Sequence, residues 1–301
     1  MMQSSLQTWL LAFRPRTLFL AAASMIVAAA LALSQGVFRW PVFLLALITA
    51  LLLQILANVA NDYGDSRHGA DNKERLGPKR AVQSGLISAK SMQRAMFALI
   101  VLTIFFGLSL LFVALGQGAW AWLLGFIILG GLAIWAAVAY TATDKPYGYV
   151  GLGDIMVLIF FGYAAVVGTY LLQAKSLVWD VFLPATSSGL LAVAVLNINN
   201  IRDIASDIKA GKYSLAVRLG ERRAKIYHWA LLTFAMLTAG IYVMEHAKSL
   251  LGLVFMLGMP LLVLNGIRVW KATTPKDLDP LLKQMSISSL IFSLFFLIAL
   301  L

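Results

Sequence analysis

The sequence predicts an all-α integral membrane protein with nine transmembrane helices in a bundle. Three observations lead to this fold class: 61% of the 301 residues are hydrophobic, only 12% are charged, and long apolar runs recur along the whole chain. A soluble domain always leaves polar residues on its surface, so it has no place for this much apolar surface. A helix of about 20 apolar residues crosses the hydrocarbon core of a bilayer. We therefore expect membrane lipid to surround the protein.

The nine apolar runs are joined by connections that alternate between short and long. The long connections are polar and charged, and the one after the fourth run is shorter and rich in Pro and Gly. We treat residues 1–301 as a single domain. The predicted spans are residues 17–34, 41–61, 95–115, 119–140, 153–172, 178–199, 227–244, 249–268 and 284–301.

Positive charge is concentrated on one side of this predicted topology. Of the 24 Lys and Arg residues, all but Arg39, Lys175 and Lys248 fall in the N-terminal segment and the long connections or at their edges. The positive-inside rule then places the N-terminus and the long connections in the cytoplasm and the C-terminus outside. Topology therefore explains most of the net charge of +11, and no basic and aromatic stripe indicates a nucleic-acid partner. The absence of Cys excludes disulfides, thiolate metal sites and iron–sulfur clusters.

Two similar groups of Asn and Asp residues stand at the cytoplasmic ends of the second and sixth spans. The first acidic motif covers residues 58–65, and the second covers residues 199–207. At 100° per residue, three members of each motif share one face of a helix. These members are Asn58, Asp62 and Asp65 in the first motif and Asn199, Asp203 and Asp207 in the second, whereas Asn61 lies off the first face.

Four carboxylates at one rim of a membrane protein repel each other unless cations lie between them. The chain has no Cys and only three His residues, so zinc or iron is a poor match. Mg²⁺ prefers hard oxygen ligands such as carboxylates, water and phosphate oxygens. The alternative is that these side chains are polar caps facing a loop. The repetition of the spacing on the same side favours a metal site.

Basic residues near both motifs fit a phosphorylated ligand, because Lys and Arg bind the outer oxygens of a diphosphate. The chain has no P-loop and no dinucleotide-binding glycine pattern, so this diphosphate should not belong to ATP or NAD. The candidates are Arg75, Lys79, Arg80, Lys145, Lys209, Lys212 and Arg218.

The two motifs, placed on a nine-span frame, resemble the UbiA-type intramembrane prenyltransferases over essentially the whole chain. The resemblance implies a lipid-opening active-site cavity with a cytoplasmic cap, in the bacterial cytoplasmic membrane. It also implies two Mg²⁺ ions bridged by the diphosphate of a polyprenyl diphosphate. Several stretches are similar to the menaquinone branch, whose acceptor is 1,4-dihydroxy-2-naphthoate. They are "FRPRTL", "LANVANDYGD", "RLGPKR", "PYGYVGLGD", "LNINNIRDIASD" and "GKYSLAVRLG".

This resemblance implies transfer of the prenyl group to the naphthoate with loss of diphosphate and CO₂. Asn58, Asp62 and Asp65 would hold one metal ion, and Asp203 and Asp207 the other, with Asn199 in support. The predicted diphosphate-binding residues are Lys79, Arg80, Lys145 and Lys212. Arg14 or Arg202 would hold the acceptor carboxylate. Tyr140, Tyr147 and Tyr149 would either shield an allylic cation or belong to the interfacial aromatic belt. Asp154 would be either a helix cap or a proton acceptor.

Two other functions remain open from the sequence. One is the same chemistry on another aromatic acceptor, such as 4-hydroxybenzoate, although "YTATDKPYGY" lacks the Tyr-Pro and Lys-Arg arrangement usual in that branch. The other is a secondary transporter, whose carboxylates lie near the middle of the membrane. Here the interiors of the predicted spans lack charged residues, which favours a membrane enzyme.

Overall fold

A computed structural model describes residues 5–69, 80–116 and 119–301, and every regular element within these ranges is a helix. Nine of the described helices are long and apolar enough to cross a membrane, which confirms the predicted number of spans. Two short α-helices, α1 and α8, and a 3₁₀ helix, Tyr147–Val150, lie outside the predicted spans. The helices are α1 Ser5–Phe13, α2 Pro15–Ser34, α3 Trp40–Arg67, α4 Ala89–Leu115, α5 Trp120–Ala139, α6 Gly153–Ala174, α7 Trp179–Lys209, α8 Leu215–Leu219, α9 Glu221–His246, α10 Leu250–Lys271 and α11 Pro275–Leu300.

Proline and polar caps fix the starts of several helices. Pro15 and Pro275 occupy the first positions of α2 and α11, where the missing N–H has no helical partner to lose. Thr274 and Asp277 form a capping box at the start of α11. Ser88 caps α4 by accepting a hydrogen bond from the backbone N–H of Ser91. These local signals separate one span from the next.

The helices that carry the acidic motifs continue beyond their predicted spans. The predicted second span ends at residue 61, but α3 continues to Arg67, and α7 continues ten residues past the predicted end at residue 199, to Lys209. Hydropathy marks where the apolar run stops, whereas the helix itself continues because its polar last turns find buried partners. We call the side of the bundle where α3 and α7 end the motif side, and the other end the opposite side.

The bundle is organised around α7. Of the 18 most apolar consecutive residues of α7, 72% are buried, whereas only 6% of the corresponding residues of α5 are buried. Helix α7 packs against α6, α9 and α11, while α2 packs against α11, so the first and last spans are neighbours. Helix α5 packs chiefly against α3 and α4 at the edge. The second motif is therefore held from several sides, and α5 exposes most of its surface to lipid.

Two glycines allow α6 and α7 to approach closely. A Cβ on Gly162 would lie 2.6 Å from the carbonyl oxygen of Ala185, and one on Gly189 would lie 2.8 Å from that of Leu158. Small residues permit such contacts between membrane helices. On the same stretch, Leu158–Val167 of α6 is wound as a π-helix, a rare form that is often found at functional sites.

Candidate active site

The first residue of the first motif, Asn58, is tied to the N-terminal helices. Its buried side-chain amide donates hydrogen bonds to the carbonyl oxygen of Phe13 at 2.9 Å and to Oγ1 of Thr17 at 2.8 Å. Its Oδ1 accepts a longer hydrogen bond from Gln54, at 3.4 Å. Asn58 therefore fixes the junction of α1 and α2 beside the motif.

Asp62 holds the segment that follows the first motif. Its carboxylate accepts hydrogen bonds from the backbone N–H groups of Ala81 at 3.1 Å and Val82 at 3.4 Å. The carboxylate is buried, so these bonds replace water that the group has lost. The result is that Arg80, the residue before this segment, is brought back against α3.

Asp65 lies between a cation and a tyrosine. Nη2 of Arg80 donates to its Oδ2 at 3.1 Å, and the hydroxyl of Tyr149 donates to its Oδ1 at 3.1 Å. The neighbouring Gly64 allows this approach, because a Cβ there would lie 2.4 Å from the backbone carbonyl carbon of Thr141. The motif therefore requires a glycine for the loop after α5 to pack on α3.

In the second motif, the buried Asp203 is paired with its neighbour Arg202. The guanidinium donates to both carboxylate oxygens, at 2.8 and 2.7 Å. It also donates to Oδ1 of Asn199 and to Asp279 on α11, both at 2.8 Å. Asp279 in turn lies 3.8 Å from the guanidinium of Arg16 on α2. A charge network thus joins the second motif to the first and last spans.

Lys212 lies between the two motifs. Its Nζ is 3.7 Å from Oδ1 of Asp207, and it stands 5.6 Å from the ring centre of Tyr149. Burial alone would lower the pKa of Lys212, but the carboxylates of Asp65 and Asp207 outweigh burial and raise that pKa above its ordinary value. Lys212 is therefore a permanent cation to which both motifs contribute negative charge.

Tyr140 lies in a cradle made by two glycines. A Cβ on Gly148 would lie 2.7 Å from the Tyr140 ring, and one on Gly153 would lie 3.0 Å from it. Burial raises the pKa of Tyr140 to about 12, so its hydroxyl stays neutral at physiological pH. Its neighbour Tyr147 packs edge-on against it and donates to the carbonyl oxygen of Ala136. These rings are built into the site, as expected of groups that meet a ligand.

A cavity of about 690 Å³ opens beside these groups. Its walls toward the opposite side are formed by apolar side chains of α2 to α7, and its motif-side end is polar and positively charged. An amphiphile with an anionic head group matches this distribution. The main polar lining residues are Arg14, Arg16, Gln54, Asn58, Asn61, Arg80, Tyr140, Tyr147, Asn199 and Lys212.

The donor set of the site suits Mg²⁺, although the carboxylates have other partners. Among the described residues, no three His, Asp or Glu side chains converge closely enough to hold a metal ion by themselves. The side-chain oxygen of Asn61, however, is buried at the cavity without a hydrogen-bond partner. Mg²⁺ takes only a few protein oxygens and completes its shell with water and phosphate. The residues therefore fit Mg²⁺ in combination with a phosphorylated ligand.

The structure brings some predicted site residues to the cavity and places others elsewhere. Those that line it are Arg14, Asn58, Arg80, Tyr140, Asn199 and Lys212, while Asp62, Asp65, Asp203 and Asp207 are buried beside or behind its lining. Arg202 is bound within the charge network and is not among the lining residues. Lys145 is exposed and also away from the lining. Lys79 and Arg75 lie outside the described residues.

The structure places two residues in or beside the site that the sequence patterns did not indicate. Asn61 lies off the face shared by Asn58, Asp62 and Asp65, yet it reaches the cavity. Asp279 had no role, because nothing in the sequence connects the last span with the second motif. Asp154 is buried, but Leu152 rather than Asp154 occupies the cap position of α6, so the prediction of a helix cap is wrong.

Comparison with known proteins identifies a family to which the chain is similar. Residues 21–294 match the UbiA prenyltransferase family. The chain is 48% identical to a 1,4-dihydroxy-2-naphthoate octaprenyltransferase of Escherichia coli, over 98% of this chain and 95% of that protein. It is 34% identical to a protein of the same name from Mycobacterium tuberculosis, over 97% of this chain and 96% of that protein.

Solved structures share the fold at low sequence identity. A UbiA homologue from Aeropyrum pernix K1 matches with a TM-score of 0.69 and 16% identity, over 93% of this chain and 94% of that one. A UbiA homologue from Archaeoglobus fulgidus, solved with bound DMAPP and Mg²⁺, matches with a TM-score of 0.63 and 14% identity, over 97% of this chain and 99% of that one.

Proposed function

The chain belongs to the UbiA prenyltransferase family and is a membrane prenyltransferase, and we propose that it prenylates 1,4-dihydroxy-2-naphthoate in menaquinone biosynthesis. The donor is a polyprenyl diphosphate. The observation that carries this proposal is the cavity, which is cationic at its motif-side end and apolar along the rest of its length. Relatives named for this reaction cover nearly the whole chain. Membership of an enzyme family removes the transporter alternative.

The cationic residues of the cavity would bind the donor's diphosphate. Lys212 and Arg80 line the cavity and also contact the acidic motifs. Charge-assisted hydrogen bonds from such groups to phosphate oxygens are short and strong. In the reaction, the C–O bond of the allylic diphosphate breaks and its electron pair leaves with the diphosphate. Lys212 and Arg80 stabilise the negative charge that develops there.

Mg²⁺, as two ions, would be held by oxygen ligands of both motifs. The candidate ligands are Asn58, Asn61, Asp62 and Asp65 on α3 and Asp203 and Asp207 on α7. When bound, Mg²⁺ neutralises negative charge on the departing diphosphate. The Archaeoglobus fulgidus homologue was also solved with GPP and Mg²⁺ bound, which supports a divalent cation in this fold.

The acceptor would lie beside the allylic carbon, with its carboxylate on Arg14. Arg14 lines the cavity and adopts a left-handed backbone conformation, with φ of 49°, between α1 and α2. Arg202, the other candidate, is bound by Asp203, Asp279 and Asn199. The new C–C bond forms at the ring carbon that carries the carboxylate. The bond to the carboxylate then breaks, its electron pair restores the aromatic ring, and CO₂ leaves.

Aromatic side chains would protect the reactive allylic cation from water. Tyr140 and Tyr147 line the cavity, and the π face of a neutral ring attracts a cation. Tyr149 has a different role in this proposal, because its hydroxyl donates to Asp65 and so helps to orient that carboxylate.

The distribution of Lys and Arg residues supports one orientation in the membrane, which we take to be the bacterial inner membrane. The motif side would face the cytoplasm, where charged diphosphates are available, and the C-terminus would lie outside. Among the Lys and Arg residues that the structure describes, only Arg39, Lys175 and Lys248 fall on the opposite side, in accordance with the positive-inside rule.

The test is an assay of purified protein in lipid nanodiscs with Mg²⁺ and octaprenyl diphosphate. Equal amounts of 1,4-dihydroxy-2-naphthoate and 4-hydroxybenzoate compete, and mass spectrometry identifies the products. We expect the prenylated naphthoquinol whose mass shows the loss of CO₂. If prenylated 4-hydroxybenzoate is the main product, the protein belongs to another branch of the family. The absence of product with either acceptor would contradict the proposed function.

A further inference from the structure

A second apolar space lies beside the cavity, on the surface of the bundle. It is a groove of about 520 Å³ between α5 and α6, in the halves of these helices nearer the opposite side. We call it the α5–α6 groove. Its lining residues include Ala121, Trp122 and Gly125 on α5 and Tyr163, Val167 and Leu171 on α6.

The α5–α6 groove borders the cavity and shares part of its lining. Phe126 and Leu129 on α5 and Ala164 and Gly168 on α6 line both spaces. We call these four shared residues the neck; three of them have apolar side chains and the fourth is a glycine. A flexible hydrocarbon chain that starts in the cavity can therefore pass into the groove without meeting a charged group at the neck.

The packing of α5 and α6 leaves this side of the bundle open. Helix α5 packs chiefly against α3 and α4, and few of its residues are buried. A Cβ on Gly125 would meet no atom within 4 Å, so the groove has free space at that point. The π-helical stretch Leu158–Val167 forms the facing wall. The groove is thus an opening between two spans rather than a packing defect inside one core.

At the opposite side, hydrogen bonds join the helix ends next to the cavity. The guanidinium of Arg39 donates to the carbonyl oxygens of Ala114 at the end of α4 and of Leu172 and Gln173 at the end of α6. Leu172 is itself part of the cavity wall. A long chain that runs from the motif side toward Arg39 therefore meets helix ends that are joined to one another, and the groove lies to the side of that path.

We propose that the α5–α6 groove holds the distal isoprene units of a long polyprenyl donor, while the cavity holds the diphosphate and the first units. This inference rests on the proposed function. Its consequence is selective: short donors lie wholly within the cavity, whereas long donors need the neck and the groove. Residues of the groove therefore affect the use of donors according to chain length.

The test is a substitution that fills the groove without reaching the polar end of the cavity. Gly125→Phe places a ring in the free space, and Ala121→Trp does so one helical turn away. The matched control is Leu124→Phe, because Leu124 is 60% exposed on α5 and lines neither space. KM and kcat are measured with geranyl diphosphate and with octaprenyl diphosphate in nanodiscs.

We expect either groove variant to raise KM for octaprenyl diphosphate by about tenfold or more, which is the size of effect that overpacking an apolar site produces. KM for geranyl diphosphate should stay within about twofold of wild type, and the control should behave as wild type with both donors. Equal effects on both donors, or no effect on the octaprenyl donor in both groove variants, would overturn the proposal.

This design separates failure of the groove from failure of the proposed function. If wild-type protein uses neither donor with any acceptor, the proposed function is wrong. If wild type and both groove variants use the two donors alike, the enzyme activity stands and only the assignment of the groove is wrong. Retention of a phospholipid in the groove, seen by native mass spectrometry together with an unchanged octaprenyl KM, would assign it to membrane lipid instead.

Discussion

Lys212 offers the most direct test of the site, because it is a buried cation between two acidic motifs. Lys212→Met keeps the length and apolar stem of the side chain and removes only the charge. Asp207 is 5% exposed and lies 3.7 Å from the ammonium, so it would lose its nearest cation while remaining out of water. We expect both stability and activity to fall, for different reasons.

The expected loss of stability follows from the geometry of this pair. Unit charges about 4 Å apart attract by about 4 kcal/mol at an effective dielectric constant of about 20. Removing one partner of a buried pair costs roughly 3–5 kcal/mol, because the other charge stays buried. At about 2 °C per kcal/mol for a chain of a few hundred residues, Tm should fall by roughly 6–10 °C. Activity should fall by about 100-fold or more, because a donor to the leaving group is lost.

The assay is thermal unfolding in detergent without substrate, together with kcat/KM in nanodiscs. Lys209→Met is the matched control, because Lys209 is an exposed lysine at the end of α7, three residues before Lys212. If Lys212→Met unfolds within about 2 °C of this control, the ammonium does not compensate buried carboxylates. If kcat/KM is also unchanged, Lys212 has no part in binding the diphosphate, and the reasoning about the site fails.

Further predictions concern pH, packing, the predicted lysines and the metal. The pKa of Lys212 is raised in the folded protein, so the stability that its charge contributes is fully present below the pKa of an unfolded lysine, about 10.5, and is lost as the pH rises above that value. The Tm difference between wild type and Lys212→Met should therefore stay constant from about pH 7 to 9. Gly64→Ala should lower the free energy of unfolding by about 1–3 kcal/mol, because the new Cβ meets the backbone of Thr141. Gly240→Ala, whose Cβ makes only ordinary contacts, should leave it unchanged. Equal Tm values for the two variants would contradict this packing. Lys145→Met should keep activity within about twofold of wild type because Lys145 is exposed, and a large loss would restore the catalytic role predicted from the sequence. EDTA should abolish turnover and Mg²⁺ restore it; full turnover in EDTA would exclude the oxygen-ligand metal site.

Much of the fold could be predicted because its signals are local. Each span is an apolar run long enough to cross the bilayer, and the spacing of the Asn and Asp residues is itself helical. The orientation of α3 within the bundle is not local. Helical periodicity gives the angle between Asn61 and Asp62 but not which of them faces the cavity. The partners decide this: Asp62 turns to the backbone of residues 81–82, and Asn61 is left at the cavity.

The sequence also does not show which lysine belongs to the site. Lys145 and Lys212 both follow a span in a short polar segment, and their immediate neighbours in sequence are similar in kind. One is exposed and the other is buried beside Asp207. The difference arises because the segment after α7 folds back along the loop after α5, where the N–H of Tyr213 donates to the carbonyl oxygen of Tyr149. A contact between segments distant in sequence therefore selects the functional lysine.

The charge network around Arg202 changes how variants of the second motif should be interpreted. Asp203 is a candidate metal ligand, but it also neutralises a buried guanidinium that holds Asn199 and reaches Asp279. Loss of activity in Asp203→Ala would therefore combine a lost ligand with a displaced Arg202. Asp279→Asn separates the two effects, because it weakens the hold on Arg202 while leaving every proposed ligand in place. If that change alone lowers activity, the last span positions the second motif, and the Asp203 variant cannot by itself identify a metal ligand.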